Sequence, residues 1–202
     1  MKNYNKNLKL LEKNHVYSKE MEHDACGVGA IVSTEGKKSR IIVEYGIEAL
    51  KAVWHRGAVD ADGKTGDGAG IHLEIPKDFF IEKIEVTGHD YDHSEICVGM
   101  IFLPRNDYSA QESCKTIVES ELTKNNFSIY GWRQVPVNPK ILGEKALQTM
   151  PEIMQVLFKS NDRKLIDKDL ERKIYETRKK IENKAFQLSL NNFYICSISS
   201  KS

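Results

Sequence analysis

Polar and charged positions dominate the first 25 residues, and Leu8, Leu10 and Leu11 are too few and too interrupted to build a core. From Gly27 onward the pattern becomes periodic. Residues 27–33 are small and apolar and predict a strand. Ser39 offers a helix cap, and Val43, Ile47, Leu50 and Trp54 follow at helical spacing, predicting a helix that runs to about residue 54. Residues 57–70 form a long stretch rich in glycine and aspartate, a loop. Residues 71–75 alternate like a strand that stops at Pro76, and the polar run 82–94 reads as a surface loop. Residues 96–103 are a continuous apolar strand ending at Pro104. Asp107 or Ser109 can then cap a helix to Lys124, with Cys114, Ile117, Val118 and Leu122 turned inward.

The second half continues the mixture. Residues 127–135 predict a strand interrupted at Gly131, followed by a turn at 136–139, a short helix at 144–149 and a strand at 153–158. A charged helix spans 162–188, its buried stripe made of Leu165, Ile166, Leu170, Ile174, Ile181 and Ala185. A last strand covers 193–198. There is no internal repeat or low-complexity tract. Strands and helices in this order imply an α/β or α+β domain.

Composition narrows the function. A chain of 202 residues fits one domain, or two only if both are small, and a net charge of +1 gives no basic footprint for nucleic acid. No apolar run approaches the ~20 residues of a membrane span, and the lysine-bearing N-terminus lacks the apolar segment of a secretory signal. The four cysteines (26, 97, 114 and 196) have neither Cys-x-x-Cys spacing nor histidine partners at zinc-ligand spacing, so no metal site is expected. Scattered thiols in a chain without a signal favour reduced cysteines and a cytoplasmic protein.

The chemistry gathers at Cys26, where the polar leader (1–25) meets the folded domain (26–202) in the run Glu22-His23-Asp24-Ala25-Cys26-Gly27-Val28-Gly29. Cleavage before Cys26 would put a thiol and a free α-amine on one residue. A thiol with an ordinary pKa near 8.5 is only a few per cent thiolate at pH 7 and benefits from a base. An α-amine, with a pKa of roughly 7.7 to 8.0, is several hundredfold more available as a neutral base than an unperturbed lysine. The plainer alternative is that Cys26 is a small buried hydrophobe in a strand.

Seven segments in order, from residue 22 to the chain's end, resemble one family. They are 22–29, Trp54 to Ala58, Asp62 to Ile71, Ile75-Pro76 with Phe79-Phe80, Val98 to Pro104, Gly131 to Pro136, and Phe193 to Ser200. The chain resembles the N-terminal glutaminase domain of the glutamate synthase large subunit, a class II glutamine amidotransferase. The resemblance implies the four-layer α-β-β-α sandwich of N-terminal-nucleophile hydrolases, an α+β fold, and Cys26 as nucleophile towards L-glutamine with its own amine as base. It places Arg56 and Gly57 beside that nucleophile and the glycine-rich loop, Gly66, Asp67 and Gly68, near the site. From the sequence alone Arg56 is equally a cation at a helix C-terminus, and Asp67 a turn former.

Gly63-Lys64-Thr65 is similar to the end of a phosphate-binding loop. That motif needs a glycine where Ala58 stands, Gly57 being one residue too early, and a helix that Gly66, Gly68 and Gly70 would not tolerate. The resemblance also implies partners outside this chain: the rest of the large subunit, which carries flavin and an iron–sulfur cluster, and a small subunit. No cofactor is expected within these residues. The family's oxyanion hole uses an Asn-Gly pair, and none of the twelve asparagines here precedes a glycine. The sequence therefore reads as the first half of a truncated glutaminase domain, its last strand lacking neighbours and leaving an exposed edge. The alternative expectation is a catalytically incomplete, non-catalytic interaction module.

Overall fold

The computed structural model describes residues 10, 13, 27–53 and 58–202, which fall into two compact units. The first comprises the described residues up to Ala58 together with Asp67–Ile71; the second comprises Val59–Gly66 and His72–Ser202.

The first unit is built on helix α1 (Arg40–Ala52), where Ser39 takes the predicted capping role: its hydroxyl accepts the Ile41 N–H at 3.3 Å. Val43, Ile47 and Leu50 are half-buried along one face; Trp54 lies outside the described residues. The strand expected at 27–33 is not formed, because these residues find no ladder partner among the described residues and leave Val28 and Val32 exposed.

The second unit is an antiparallel sheet with helices on both faces. In chain order it holds α2 (Lys77–Val86), β1 (Cys97–Leu103), α3 (Tyr108–Lys124), β2 (Phe127–Gln134), α4 (Glu144–Thr149), β3 (Glu152–Ser160), α5 (Asp167–Gln187) and β4 (Tyr194–Ser199). The strand order is β2-β3-β1-β4. Side chains alternate across a strand, so Cys97, Ile101 and Leu103 of β1 join Val156 and Phe158 of β3 on one face, under Cys114, Val118 and Leu122 of α3 and Leu170, Ile174 and Ile181 of α5. On the other face Val98, Tyr130 and Leu157 meet Phe80 and Ile84 of α2, with Ile75 and Ile96.

Two β-bulges keep that division intact. The β1–β4 register shifts between Met100 and Ile101, leaving Cys196 as the extra residue, so Ile195 and Ile198 both face the α3/α5 core despite their odd spacing. In β2 the shift between Ile129 and Gly131 makes Tyr130 the extra residue, which turns it to the α2 side while Ile129 and Trp132 stay with α3 and α5. Gly131 has φ +152°, and the Thr87 side chain after α2 packs on it and donates its hydroxyl to the Tyr130 carbonyl at 3.1 Å.

Four expectations are corrected. Residues 82–86 belong to α2 rather than to a loop: Pro76 opens a helix whose Phe80 and Ile84 lie one turn apart. Residues 71–75 form no strand; Ile75 instead donates its N–H to the Lys201 carbonyl at 2.9 Å. The long helix begins at Asp167, so Ile166 precedes it and is exposed. The last strand does have a neighbour, β1, and only its outer edge has no ladder partner among the described residues.

The two helices of the main core are pinned by a buried charge. Glu121 of α3 is 5% exposed and pairs with Lys184 of α5 and with Lys124 at 3.6 Å. The hydrogen bond from Lys184 holds its carboxyl below the ordinary value of 4.5. A lowered folded-state pKa contributes stability that is present above the unfolded pKa and is lost as pH falls through the folded one. Glu121→Gln is therefore expected to lose about 1.5–3 kcal/mol at pH 7, the range for a hydrogen bond to a charged group. The gap between variant and parent should narrow below about pH 4.5, as urea melts at pH 7 and at lower pH would read.

Candidate active site

Cys26, Arg56 and Gly57 lie outside the described residues, and so does His55. Their sequence neighbours do not. In the first unit Gly27 lies against Val53, the residue that closes α1: a Cβ built on Gly27 would sit 3.1 Å from the Val53 Cβ. A larger residue at 27 would push the helix end away. The contact draws the residue after Cys26 to the helix end that leads into Arg56.

The same unit ties the glycine-rich loop to this point. The Asp67 carboxylate accepts the Ala58 N–H at 2.8 Å, and the Asp67 N–H is directed to the Ala58 carbonyl at 3.3 Å. Asp67 thus closes the loop from its far side, a role that turn-forming propensity does not describe. It joins the residue after Gly57 to the start of the run Asp67-Gly68-Ala69-Gly70.

In the second unit the loop folds back on itself. Val59 and Gly66 form an antiparallel bridge, Asp60 donates its N–H to the Thr65 carbonyl at 2.7 Å, and Gly63 turns the tip at φ +68°. Gly66 and Gly68 have ordinary φ values, so the freedom that glycine brings is used at Gly63. Asp62 organises the tip. Its carboxylate accepts N–H groups from Lys64 at 2.9 Å and Thr65 at 2.7 Å, and the Thr65 hydroxyl at 2.5 Å. Those donors, the Thr65 hydroxyl foremost, hold its carboxyl well below the usual carboxylate range. No helix starts at Lys64-Thr65, which removes the phosphate-loop reading.

Residues 26–202 match the family described as class II glutamine amidotransferases. The chain belongs to the class II glutamine amidotransferases. The family has the N-terminal-nucleophile hydrolase fold, with which the α+β mixture of helices and antiparallel sheet agrees. The chain is 52% identical over 188 residues to the glutamate synthase [NADPH] large chain of Azospirillum brasilense, covering 93% of this chain and 12% of that protein. It is 39% identical over 182 residues to the ferredoxin-dependent glutamate synthase 1, chloroplastic/mitochondrial, of Arabidopsis thaliana, covering 89% of this chain and 11% of the relative. Against the ferredoxin-dependent glutamate synthase of Pyropia yezoensis the identity is 37% over 199 residues, with coverages of 95% and 12%. The chain spans about an eighth or less of the length of these relatives.

Sequence reasoning missed Asp62, Thr65 and Gly143. The signals were present: an Asp-Gly turn with a threonine three residues on, and a helix at 144 preceded by glycine instead of a capping side chain.

Two of the other thiols are unsuited to catalysis. Cys97 of β1 and Cys114 of α3 are buried in the core, and Cys196 is exposed on the β4 bulge. Burial, with Asp107 adding to it, pushes the Cys114 thiol up to about 11, and burial raises Cys97 further. At pH 7.5 a thiol of pKa 11 is thiolate in only about one molecule in 3,000. Iodoacetamide at pH 7.5 should therefore leave Cys97 and Cys114 unmodified in the folded protein and alkylate both in urea, as peptide mapping would read.

Proposed function

We propose that this chain supplies the nucleophile of a glutaminase that operates within a glutamate synthase. Removal of the leader 1–25 exposes Cys26 as the N-terminal residue. Its thiol attacks the side-chain amide carbon of L-glutamine, while the α-amine takes the thiol proton and delivers it to the departing ammonia. A γ-glutamyl thioester forms, and water, activated by the same amine, attacks it and releases glutamate. Arg56 and Gly57 stand beside the nucleophile, and the planar donor fork of Arg56 suits it to fixing a carboxylate or the local geometry.

The observation that carries this reading is that the family match begins at residue 26, a cysteine that would hold both a thiol and a free amine once the leader is removed. The contact of Gly27 with Val53 supports it by bringing the flanks of Cys26 and Arg56 together. The remainder of a large subunit would use the ammonia to make glutamate from 2-oxoglutarate, with flavin and an iron–sulfur cluster held there and a small subunit as partner. The names of the relatives, all glutamate synthases, support this assignment, and a role in ammonia assimilation would go with it.

The test is covalent. A glutamine analogue bearing an electrophile at the side-chain carbonyl should place one adduct on Cys26 of the full-length protein, with a rate that rises as pH passes through about 8, where the amine loses its proton. Cys26→Ala should take up no analogue. Equal labelling of parent and variant would refute the proposal.

A further inference from the structure

The connection between β2 and β3 is longer than its task. These strands are antiparallel neighbours, which a two-residue turn can join, yet the chain runs from 135 to 151 before β3 begins. That excursion carries α4, a six-residue helix too short to be stable alone. Its N-cap is Gly143, with no capping side chain. The cap comes instead from the glycine-rich loop, within the same unit.

The Asp62 carboxylate stands at this helix start, its Oδ2 2.4 Å from where a Cβ on Gly143 would lie. The Thr65 hydroxyl faces the Ala146 N–H at 3.5 Å, and Lys145 Nζ pairs with Asp60 at 2.6 Å. A carboxylate at this end also opposes the positive pole of the helix. Gly143 is the condition for the fit: a Cβ there would overlap the Thr65 hydroxyl and the Asp62 carboxylate.

We propose that α4 is the holder of the glycine-rich loop, and that Asp62, Thr65 and Gly143 are positioning residues for glutamine hydrolysis. The inference rests on the glutaminase reading, in which Gly66, Asp67 and Gly68 lie near the nucleophile; the holder fixes the chain immediately before them. The catalytic consequence is transmitted through the loop, since none of the three residues needs to touch substrate.

Two measurements on the full-length protein separate the parts. Hydrogen exchange should show the amides of 64–65 and 144–146 accelerating together, by tenfold or more, in Asp62→Asn, Thr65→Val and Gly143→Ala, with β1 and β3 unchanged. Gly143→Ala removes no hydrogen-bonding group and adds one methyl, so its agreement with the others isolates the fit. Glutamine hydrolysis should lose about tenfold in kcat with KM within twofold, and Thr65→Ser, which keeps the hydroxyl, should restore both. Acceleration of 64–65 without 144–146 overturns the holder. Joint acceleration with unchanged kcat overturns the positioning role. A parent protein that begins at Cys26 and hydrolyses no glutamine overturns the glutaminase reading and the catalytic role with it, while the exchange result still decides the holder.

Discussion

Strand β1 meets packing on both faces, and the second unit is arranged around that demand. Over Gly99 the side chains of Val156 from β3 and Ile198 from β4 approach so closely that a Cβ would lie 2.7 Å from the Val156 Cγ1. Interiors pack at crystal-like density, so a central strand with one inward side chain reduced to hydrogen lets its two neighbours interlock above it. On the reverse face Val98 is covered by Ile84 and Phe80 of α2. The helices α3 and α5, the bulges and the buried Glu121 pair all follow from covering a sheet that is apolar on both sides.

The strong periodicities were readable from the residues alone. The continuous apolar run of β1, the α3 face of Cys114, Ile117, Val118 and Leu122, and the short helix at 144–149 stand where they were expected. The failures have local causes. Pro76 marks the end of one pattern and equally the start of another, and of the apolar residues that follow it only Phe80 and Ile84 are buried. Residues 27–33 and 71–75 have strand-like composition, but a strand needs a ladder partner, and pairing is a property of the fold and not of a five-residue window. The bulges at Tyr130 and Cys196 were invisible because they depend on register.

The candidate site divides in the same way. Cys26 could be put forward from the sequence because the chemistry expected of it is local: the thiol, the amine and the polar leader adjoin one another in sequence. Arg56 and the loop residues come into the site only through the resemblance. The role of Asp67 in closing the loop on Ala58 could not be read, since nine residues separate the two. Still less could the docking of Thr65 on α4, across 81 residues, be inferred before the fold brought them together. Within one unit Asp67 holds Ala58, and within the other Asp62 and Thr65 hold the loop tip. A loop rich in glycine is not thereby a flexible one.

The account depends above all on Cys26 becoming an N-terminal residue, because only then does one residue hold both nucleophile and base. The most direct measurement is the N-terminal sequence and intact mass of the protein purified from its own host. The account predicts a chain that starts at Cys26. A glutaminase that is active while still starting at Met1 would contradict it.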